Sequence, residues 1–191
     1  MTARFTRAEL QAFKGAPIDD LIGGRVRFLI VGVNPGLWTA AVNAPFARRG
    51  NRFWPALHAA GITPYAIDAS AGMKPVDLAL LTELGIGITN IVRTATARAD
   101  ELTRDELRAG AAALESKVRV VQPKVVAVLG LTSYREAFGR PKAGAGKQTE
   151  TLGGVELWVL PNPSGLNAHE TIDTLATAYR AAWLAAGGAA T

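Results

Sequence analysis

The sequence predicts an α/β fold built on a mainly parallel β-sheet. Apolar blocks rich in Val, Ile and Leu alternate along the chain with segments of helical periodicity. This alternation is typical of βαβ units in which both faces of the sheet are covered. With 191 residues, 49% of them hydrophobic and 19% charged, the chain is long enough for one compact domain with a sizeable core. We therefore expect a single domain over residues 1–191, with short flexible ends.

Four apolar blocks predict the strands, at residues 27–33, 87–92, 124–129 and 156–160. Helices are expected to start at Thr6 and Thr103, because each is followed three positions later by a glutamate in the spacing of a capping box. Asn51 is the expected cap of a helix that ends near Ala60, and a last helix is expected over residues 171–185. The glycine-rich segment 139–149 is expected to be loosely ordered.

Composition excludes several classes of chemistry. The sequence contains no cysteine, which removes disulfides, thiolate catalysis and cysteine-based metal sites. Its two histidines, His58 and His169, do not form a convincing zinc motif, so no metal or organic cofactor is expected. No apolar segment approaches the roughly 20 residues of a membrane span, and we expect a cytoplasmic protein with no membrane partner. A net charge of +5 and a pI near 9.9 favour a polyanionic partner.

Two loops with the same beginning follow the first and last predicted strands. Asn34-Pro35-Gly36 follows the first strand, and Asn162-Pro163 follows the last. In an open parallel sheet, ligands bind beyond the carboxyl ends of the strands. If these two strands lie close together, both amides face one crevice. Asn-Pro is also a common turn dipeptide, so the residues alone leave a purely structural role open for each loop.

A lone aromatic residue, Phe46, lies in a polar, basic loop shortly after Asn34. An exposed ring at this place can stack on a nucleobase. The neighbouring Arg48, Arg49 and Arg52 suit contacts with phosphate. The glycine-rich segment does not form a P-loop, because position 141 is proline and Gln148 follows the lysine. Lys147 is therefore either a single positive charge for a phosphate or a solvated lysine.

Several sequence blocks, in this order and spacing, carry a family likeness: "GVNPGLW", "FARRGNRFW", "GITNIVRTATARADELTRDELRAG", "VVAVLGLTSYREAFG", "GKQT" and "WVLPNPSGLNAH". Over about residues 25–183 the chain resembles the mismatch-specific uracil-DNA glycosylases of the thymine-DNA glycosylase family, within the uracil-DNA glycosylase superfamily. The resemblance implies the three-layer uracil-DNA glycosylase fold, a four-stranded parallel sheet flanked by helices. It also implies that no metal or organic cofactor takes part.

The resemblance assigns roles to two groups of residues. Asn34 matches the catalytic asparagine that positions the water attacking C1′, and the flipped pyrimidine is held by Val33, Gly36, Phe46, Asn90 and Asn162. The DNA contacts fall on Lys147, Ser164, Gly165, Leu166 and Asn167. Within the second group, Leu166 is the wedge that fills the space left by the base, while Gly165 and Asn167 read the widowed guanine. Positions that depart from the family pattern are Trp38, Ala44 and Ala168.

Together, the residues and the resemblance predict a monomeric, monofunctional DNA glycosylase of base excision repair. Its substrate would be uracil, and ethenocytosine-type lesions, mispaired with guanine in double-stranded DNA. A neutral amide cannot act as a strong base, so the water is placed rather than activated. The main alternative is a catalytically inactive DNA-binding module of the same fold. A weaker alternative is a nucleotide-binding enzyme that uses the segment around Lys147.

Overall fold

The fold is an α/β sandwich around a five-stranded sheet, seen in a computed structural model that describes residues 5–189. The strands are β1 (Phe28–Gly32), β2 (Ile86–Asn90), β3 (Val125–Leu129), β4 (Gly146–Leu152) and β5 (Val155–Leu160). Their order is β2-β1-β3-β5-β4, and all neighbours are parallel except β4 and β5. The predicted α/β class and parallel core are confirmed. The predicted count of four strands is wrong by one.

The additional strand is β4, which occupies part of the segment predicted to be loosely ordered. It pairs with β5 through a tight turn at Gly153 and Gly154, whose φ values are +58° and +87°. Positive φ at both central residues is typical of the two-residue hairpin turns that match strand twist. The side chains of β4 are mostly exposed and polar. An edge strand of this kind has no apolar block, so the pattern that revealed the other strands could not reveal it.

Seven α-helices complete the described part of the chain: α1 (Arg7–Gln11), α2 (Leu37–Val42), α3 (Phe53–Ala59), α4 (Pro75–Leu84), α5 (Arg104–Val121), α6 (Leu131–Ala137) and α7 (Ile172–Ala185). Both predicted capping boxes are confirmed, since Thr6 and Thr103 each accept from the backbone of a glutamate whose side chain returns the bond. The cap of α3 is Arg52 rather than Asn51. Asn51 Oδ1 still accepts from the Phe53 amide at 2.9 Å, so the predicted side-chain contact lies just before the helix.

The sheet is buried on both faces. Phe28 and Ile30 of β1 point to a cluster that includes side chains of α3, α4 and α7. Leu29 and Val31 point to the opposite cluster, which includes side chains of α5 and α6. Strands buried on both faces read as continuous apolar runs, which explains why the sequence identified them.

The predicted flexible ends fall partly on residues 1–4 and 190–191, which lie outside the described residues. Within the described range, none of the helices is both long enough and apolar enough to cross a bilayer.

Candidate active site

A cavity of about 340 Å³ lies at the carboxyl edge of the parallel strands. Strand β3 separates β1 from β5, so the loops that follow β1 and β5 lie two strands apart and both reach this cavity. All six residues predicted to act on the base line it: Val33, Asn34, Gly36, Phe46, Asn90 and Asn162. The two Asn-Pro loops therefore meet at one crevice, as predicted.

The Asn34 amide is held in one orientation by three acceptors. Its Nδ2 donates to Thr96 Oγ1 at 2.8 Å and to the carbonyl oxygens of Pro35 and Thr94 at 3.2 Å. Two carbonyls can only accept, and Thr96 Oγ1 gives its own proton to the Arg98 carbonyl at 2.7 Å, so the nitrogen must lie on this side. Within residues 5–189 no donor is described for Asn34 Oδ1. The oxygen is therefore available to accept a hydrogen bond at the half-buried lining of the cavity.

Gly32 makes room for the floor of the cavity, a role that the sequence analysis did not assign. It lies opposite Asn90 in the register of β1 and β2. A Cβ at position 32 would lie 2.5 Å from Asn90 Oδ1 and 3.4 Å from Phe46 Cζ. Any larger residue would push the Asn90 amide from its place. A glycine ending an otherwise continuous apolar strand was the available signal.

Phe46 is half-buried, not the fully exposed ring that its polar surroundings suggested. Its ring stacks on Phe53 with centroids 3.9 Å apart and an interplanar angle of 25°. The Phe46 backbone has φ +55°, which is uncommon for a bulky residue and is held here by the packing around it. One aromatic face is thus fixed by Phe53 while the side chain still lines the cavity. A planar base in the cavity can therefore stack on a ring that is already packed against Phe53.

Asn162 connects the cavity to the loop that follows β5. We call residues 162–170 the wedge loop. Asn162 Oδ1 accepts from the Ser164 amide at 2.9 Å, and the Asn162 carbonyl accepts from Asn167 Nδ2 at 3.1 Å. No acceptor is described for Asn162 Nδ2 within residues 5–189, which leaves a donor beside the cavity. The Asn167 side chain stabilises the loop from within, which the sequence analysis did not foresee.

Leu166 protrudes from the wedge loop with 78% of its surface exposed. Both Ser164 and Leu166 line the cavity, whereas Gly165 packs behind them. A Cβ at Gly165 would lie 2.7 Å from the Gly50 carbonyl oxygen, so this position requires glycine because of a close backbone approach. An exposed leucine next to the cavity is compatible with the wedge role, which stays a prediction.

Arg52 is not placed as a phosphate ligand, which corrects the sequence-based interpretation. Its guanidinium donates to the carbonyl oxygens of Ser164 at 2.5 Å and Asn167 at 2.6 Å, and also to that of Glu170. These contacts join segments more than 100 positions apart in sequence, and no local pattern signals them. Arg48 and Arg49 remain exposed, and both lie beside Gly165 and Leu166.

Lys147 lies on β4 and does not line the cavity, so the structure does not bring it together with the other predicted site residues. Its Nζ forms an ion pair with Glu156 Oε2 at 2.6 Å. Hydrogen bonds from Lys147 and Trp158 lower the pKa of the Glu156 carboxyl below its usual range. The interpretation of Lys147 as a residue in a loosely ordered loop is wrong, because it belongs to the edge strand β4.

The electrostatics of the cavity offer no general base with a raised pKa. Among the described lining residues, Asp100 is the one carboxylate. It is mostly exposed, and its hydrogen bond with Arg98 lowers its pKa below the usual value. Neither histidine lines the cavity, and no cluster of three metal-ligating side chains is found within residues 5–189. The groups that line the cavity are therefore amides, hydroxyls, the side chains of Arg48 and Arg98, an aromatic ring and the backbone.

Comparisons with known proteins agree with this architecture. Residues 21–185 match the uracil DNA glycosylase superfamily. The protein is also similar to the solution NMR structure of a candidate uracil DNA glycosylase from Methanosarcina acetivorans, with a TM-score of 0.58 and 15% sequence identity. That similarity covers 88% of this chain and 97% of the other, and at this identity it supports the fold alone. Because the family match spans the sheet, the cavity and both asparagine loops, the chain belongs to the uracil DNA glycosylase superfamily.

Proposed function

We propose that this protein is a monofunctional DNA glycosylase that hydrolyses the N-glycosidic bond of uracil mispaired with guanine in double-stranded DNA. The observation that carries the proposal is the Asn34 amide, whose nitrogen is fully engaged and whose oxygen is left for a water at the cavity. Family membership supports DNA as the substrate. The mismatch-specific branch is favoured by the resemblance of the sequence blocks around Asn34 and Asn162.

The chemistry follows from what an amide can do. Asn34 Oδ1 accepts a hydrogen bond from the attacking water and holds its oxygen towards C1′ of the deoxyribose. The amide does not remove a proton, so the glycosidic bond breaks through an oxocarbenium-like state and the water adds to it. The base departs as an anion, and the proton that the water loses on adding to C1′ passes to that anion or to solvent. Asn162 Nδ2 is a suitable donor to a base oxygen, because it has no described acceptor in the protein. A good leaving group such as uracil is therefore cleaved faster than thymine.

Recognition of the base uses the cavity floor. The flipped pyrimidine stacks on Phe46, while the main chain near Val33 and Gly36 contacts its edge. Asn90 presents an amide beside Gly32, where it can offer both a donor and an acceptor. This arrangement favours uracil, and it also admits ethenocytosine-type lesions.

The duplex is opened at the wedge loop. Extruding a base costs a few kcal/mol, and least where the pair is already mismatched. In this proposal, Leu166 fills the vacated space, and Gly165 and Asn167 contact the widowed guanine. Part of the preference for a G·U pair thus comes from the weak stacking and pairing of the mismatch itself.

The first test uses a labelled duplex with one G·U pair under single-turnover conditions. The wild-type protein should produce abasic sites, and Asn34→Ala should lower the rate by roughly a hundredfold or more, because the water loses its position. Leu184→Ala, which truncates an exposed leucine on α7, serves as a control and should keep the wild-type rate.

Equal activity of wild type and Asn34→Ala would contradict the role of Asn34. Salt-dependent DNA binding by the wild type without abasic product at any enzyme excess would instead identify the inactive binding module.

A further inference from the structure

Most of the described hydrogen bonds that join the wedge loop to the rest of the protein come from one residue, Arg52. Within residues 5–189, Arg52 is the one residue outside the loop that is described as hydrogen-bonded to positions 163–167. Its amide donates to the Pro163 carbonyl at 3.0 Å, and its guanidinium donates to the carbonyls of Ser164, Asn167 and Glu170. The remaining bonds of this segment are internal, such as Asn167 N to Ser164 O at 2.9 Å.

Three loop carbonyls around one guanidinium require the geometry of arginine. Its planar fork presents donors in several fixed directions, whereas the ammonium of lysine offers donors from a single point. Arg52 Nε is buried and has no described acceptor, which costs free energy. The contacts with Ser164 and Asn167 flank Leu166 on both sides, so they fix the place where the exposed leucine protrudes.

The same short segment also positions the aromatic platform of the cavity. Arg52 is followed directly by Phe53, whose ring carries Phe46. Two residues before Arg52, the Gly50 carbonyl packs against Gly165. One stretch of backbone, residues 46–53, therefore positions both Phe46, the ring proposed to stack on the base, and Leu166, the side chain proposed to replace it.

We propose that Arg52 is a positioning residue that holds the wedge loop in the conformation able to enter a duplex, and that it acts through Leu166 rather than on the substrate. This inference rests on the proposed glycosylase function. It predicts that loss of the guanidinium impairs work on double-stranded DNA and spares chemistry in the cavity. Cleavage of uracil in single-stranded DNA needs no wedge, because that base is already free of a partner.

The test compares single-turnover rates on a G·U duplex and on a single-stranded uracil oligonucleotide for wild type, Arg52→Met and Arg52→Lys. We expect Arg52→Met to lower the duplex rate by roughly a hundredfold, the size of effect that follows from a small displacement of a positioned group. Its single-stranded rate should stay close to wild type. Arg52→Lys retains the positive charge but not the planar guanidinium, so its duplex rate should lie between those of wild type and Arg52→Met. This variant also decides the matter if Arg52→Met does not fold.

Two further variants separate positioning from charge and from the wedge itself. Arg25→Met removes one positive charge from an exposed residue at the other end of β1, and should leave both rates unchanged. Leu166→Ala should share the duplex-specific loss of Arg52→Met. Hydrogen exchange then distinguishes them: amides of residues 164–169 should exchange faster in Arg52→Met but not in Leu166→Ala. An equal loss on both substrates, or unchanged exchange in the loop, would overturn the role of Arg52.

The exchange measurement also separates this inference from the proposed function. If the wild type released no uracil from either substrate, the glycosylase proposal would fail, and the exchange of the loop amides would still show whether Arg52 orders the loop.

Discussion

The orientation of the Asn34 side chain is fixed by the hydrogen bonds of its amide group. Its three acceptors lie on the nitrogen side, and two of them are main-chain carbonyls that cannot reverse their polarity. The amide therefore cannot flip without losing all three bonds. Thr96 completes the arrangement, because its hydroxyl accepts from Asn34 and donates to the Arg98 carbonyl. The orientation of the Asn34 oxygen is thus specified by Thr96 together with the carbonyls of Pro35 and Thr94.

This network predicts a moderate effect for Thr96→Val, which removes one acceptor while keeping the shape of the side chain. We expect the single-turnover rate on a G·U duplex to fall about fivefold, which corresponds to a hydrogen bond contributing about 1 kcal/mol. Thr177→Val is the matched control, since its hydroxyl bonds to a carbonyl on the exposed side of α7. A full wild-type rate in Thr96→Val would show that the two carbonyls alone hold the amide.

Most of the residues proposed to contact the base could be predicted from the sequence. The residues that hold them in place could not. Asn34 and Asn162 were found because an Asn-Pro loop follows each of two strand ends, where parallel sheets bind ligands. Phe46 was found because it is a lone aromatic residue in a polar, basic loop. Arg52 was misjudged and the internal bonds of Asn167 were not foreseen, because the partners of both side chains are backbone groups, which no sequence pattern displays. Gly32 was overlooked because its importance lies in the atoms that approach it, Asn90 Oδ1 and Phe46 Cζ.

At the scale of elements, β4 shows how an edge strand avoids pairing with other molecules. Its exposed face carries Lys147 and Glu150, both engaged in ion pairs, with Glu156 and Arg140 respectively. Charged side chains on an edge strand disfavour further strand addition. The same polar composition hid the strand from sequence analysis. The Gly153-Gly154 turn was the stronger local signal, because a glycine pair followed by an apolar run is typical of a hairpin.

The helix α5 covers the sheet face opposite α7, and its start depends on the capping box of Thr103 and Glu106. Hydrogen bonds from the Thr103 amide and hydroxyl lower the pKa of Glu106 from 4.5. A carboxyl whose pKa is depressed by folding adds stability above its unfolded pKa, and this contribution is lost as the pH falls through the folded value.

Glu106→Gln should therefore lower the free energy of unfolding at neutral pH, and the difference from wild type should shrink as the pH falls below 4.5. Urea denaturation across a series of pH values measures this difference. Glu136→Gln, at an exposed site on α6 without a described hydrogen bond, reports the effect of a glutamate substitution outside a cap. A difference that stays constant on acidification would argue against the capping carboxylate as its source.

At the scale of the whole molecule, the fold class followed from strands buried on both faces, since such strands are recognisable as uninterrupted apolar blocks. The order of the strands and the presence of a fifth one depend on contacts between distant segments, which composition and periodicity do not specify. The net charge of +5 is likewise a property of the whole chain. Which part of the surface attracts a polyanion depends on where the exposed arginines lie.

Arg48 and Arg49 lie beside the wedge loop and are exposed, so we expect both to contact phosphates. Each substitution by methionine should weaken binding to lesion-free duplex and reduce the slope of log affinity against log salt by about one. Fluorescence anisotropy titrations at several salt concentrations measure the slope. Arg25→Met removes the same charge at the amino end of β1 and should leave the slope unaltered; an equal reduction there would mean that only total charge matters.

The position of β3 between β1 and β5 has a consequence for which lesions can be processed. Neighbouring strands lie about 4.8 Å apart. The loops of Asn34 and Asn162 therefore begin at strand ends about 10 Å apart, because β3 lies between β1 and β5. Under the proposed function, a flipped nucleotide has to cross this fixed distance so that its sugar lies at Asn34 while Leu166 occupies the space it left in the stack. A nucleotide that a crosslink ties to the opposite strand cannot leave the duplex. We therefore expect its base not to be excised, however labile its bond to the sugar.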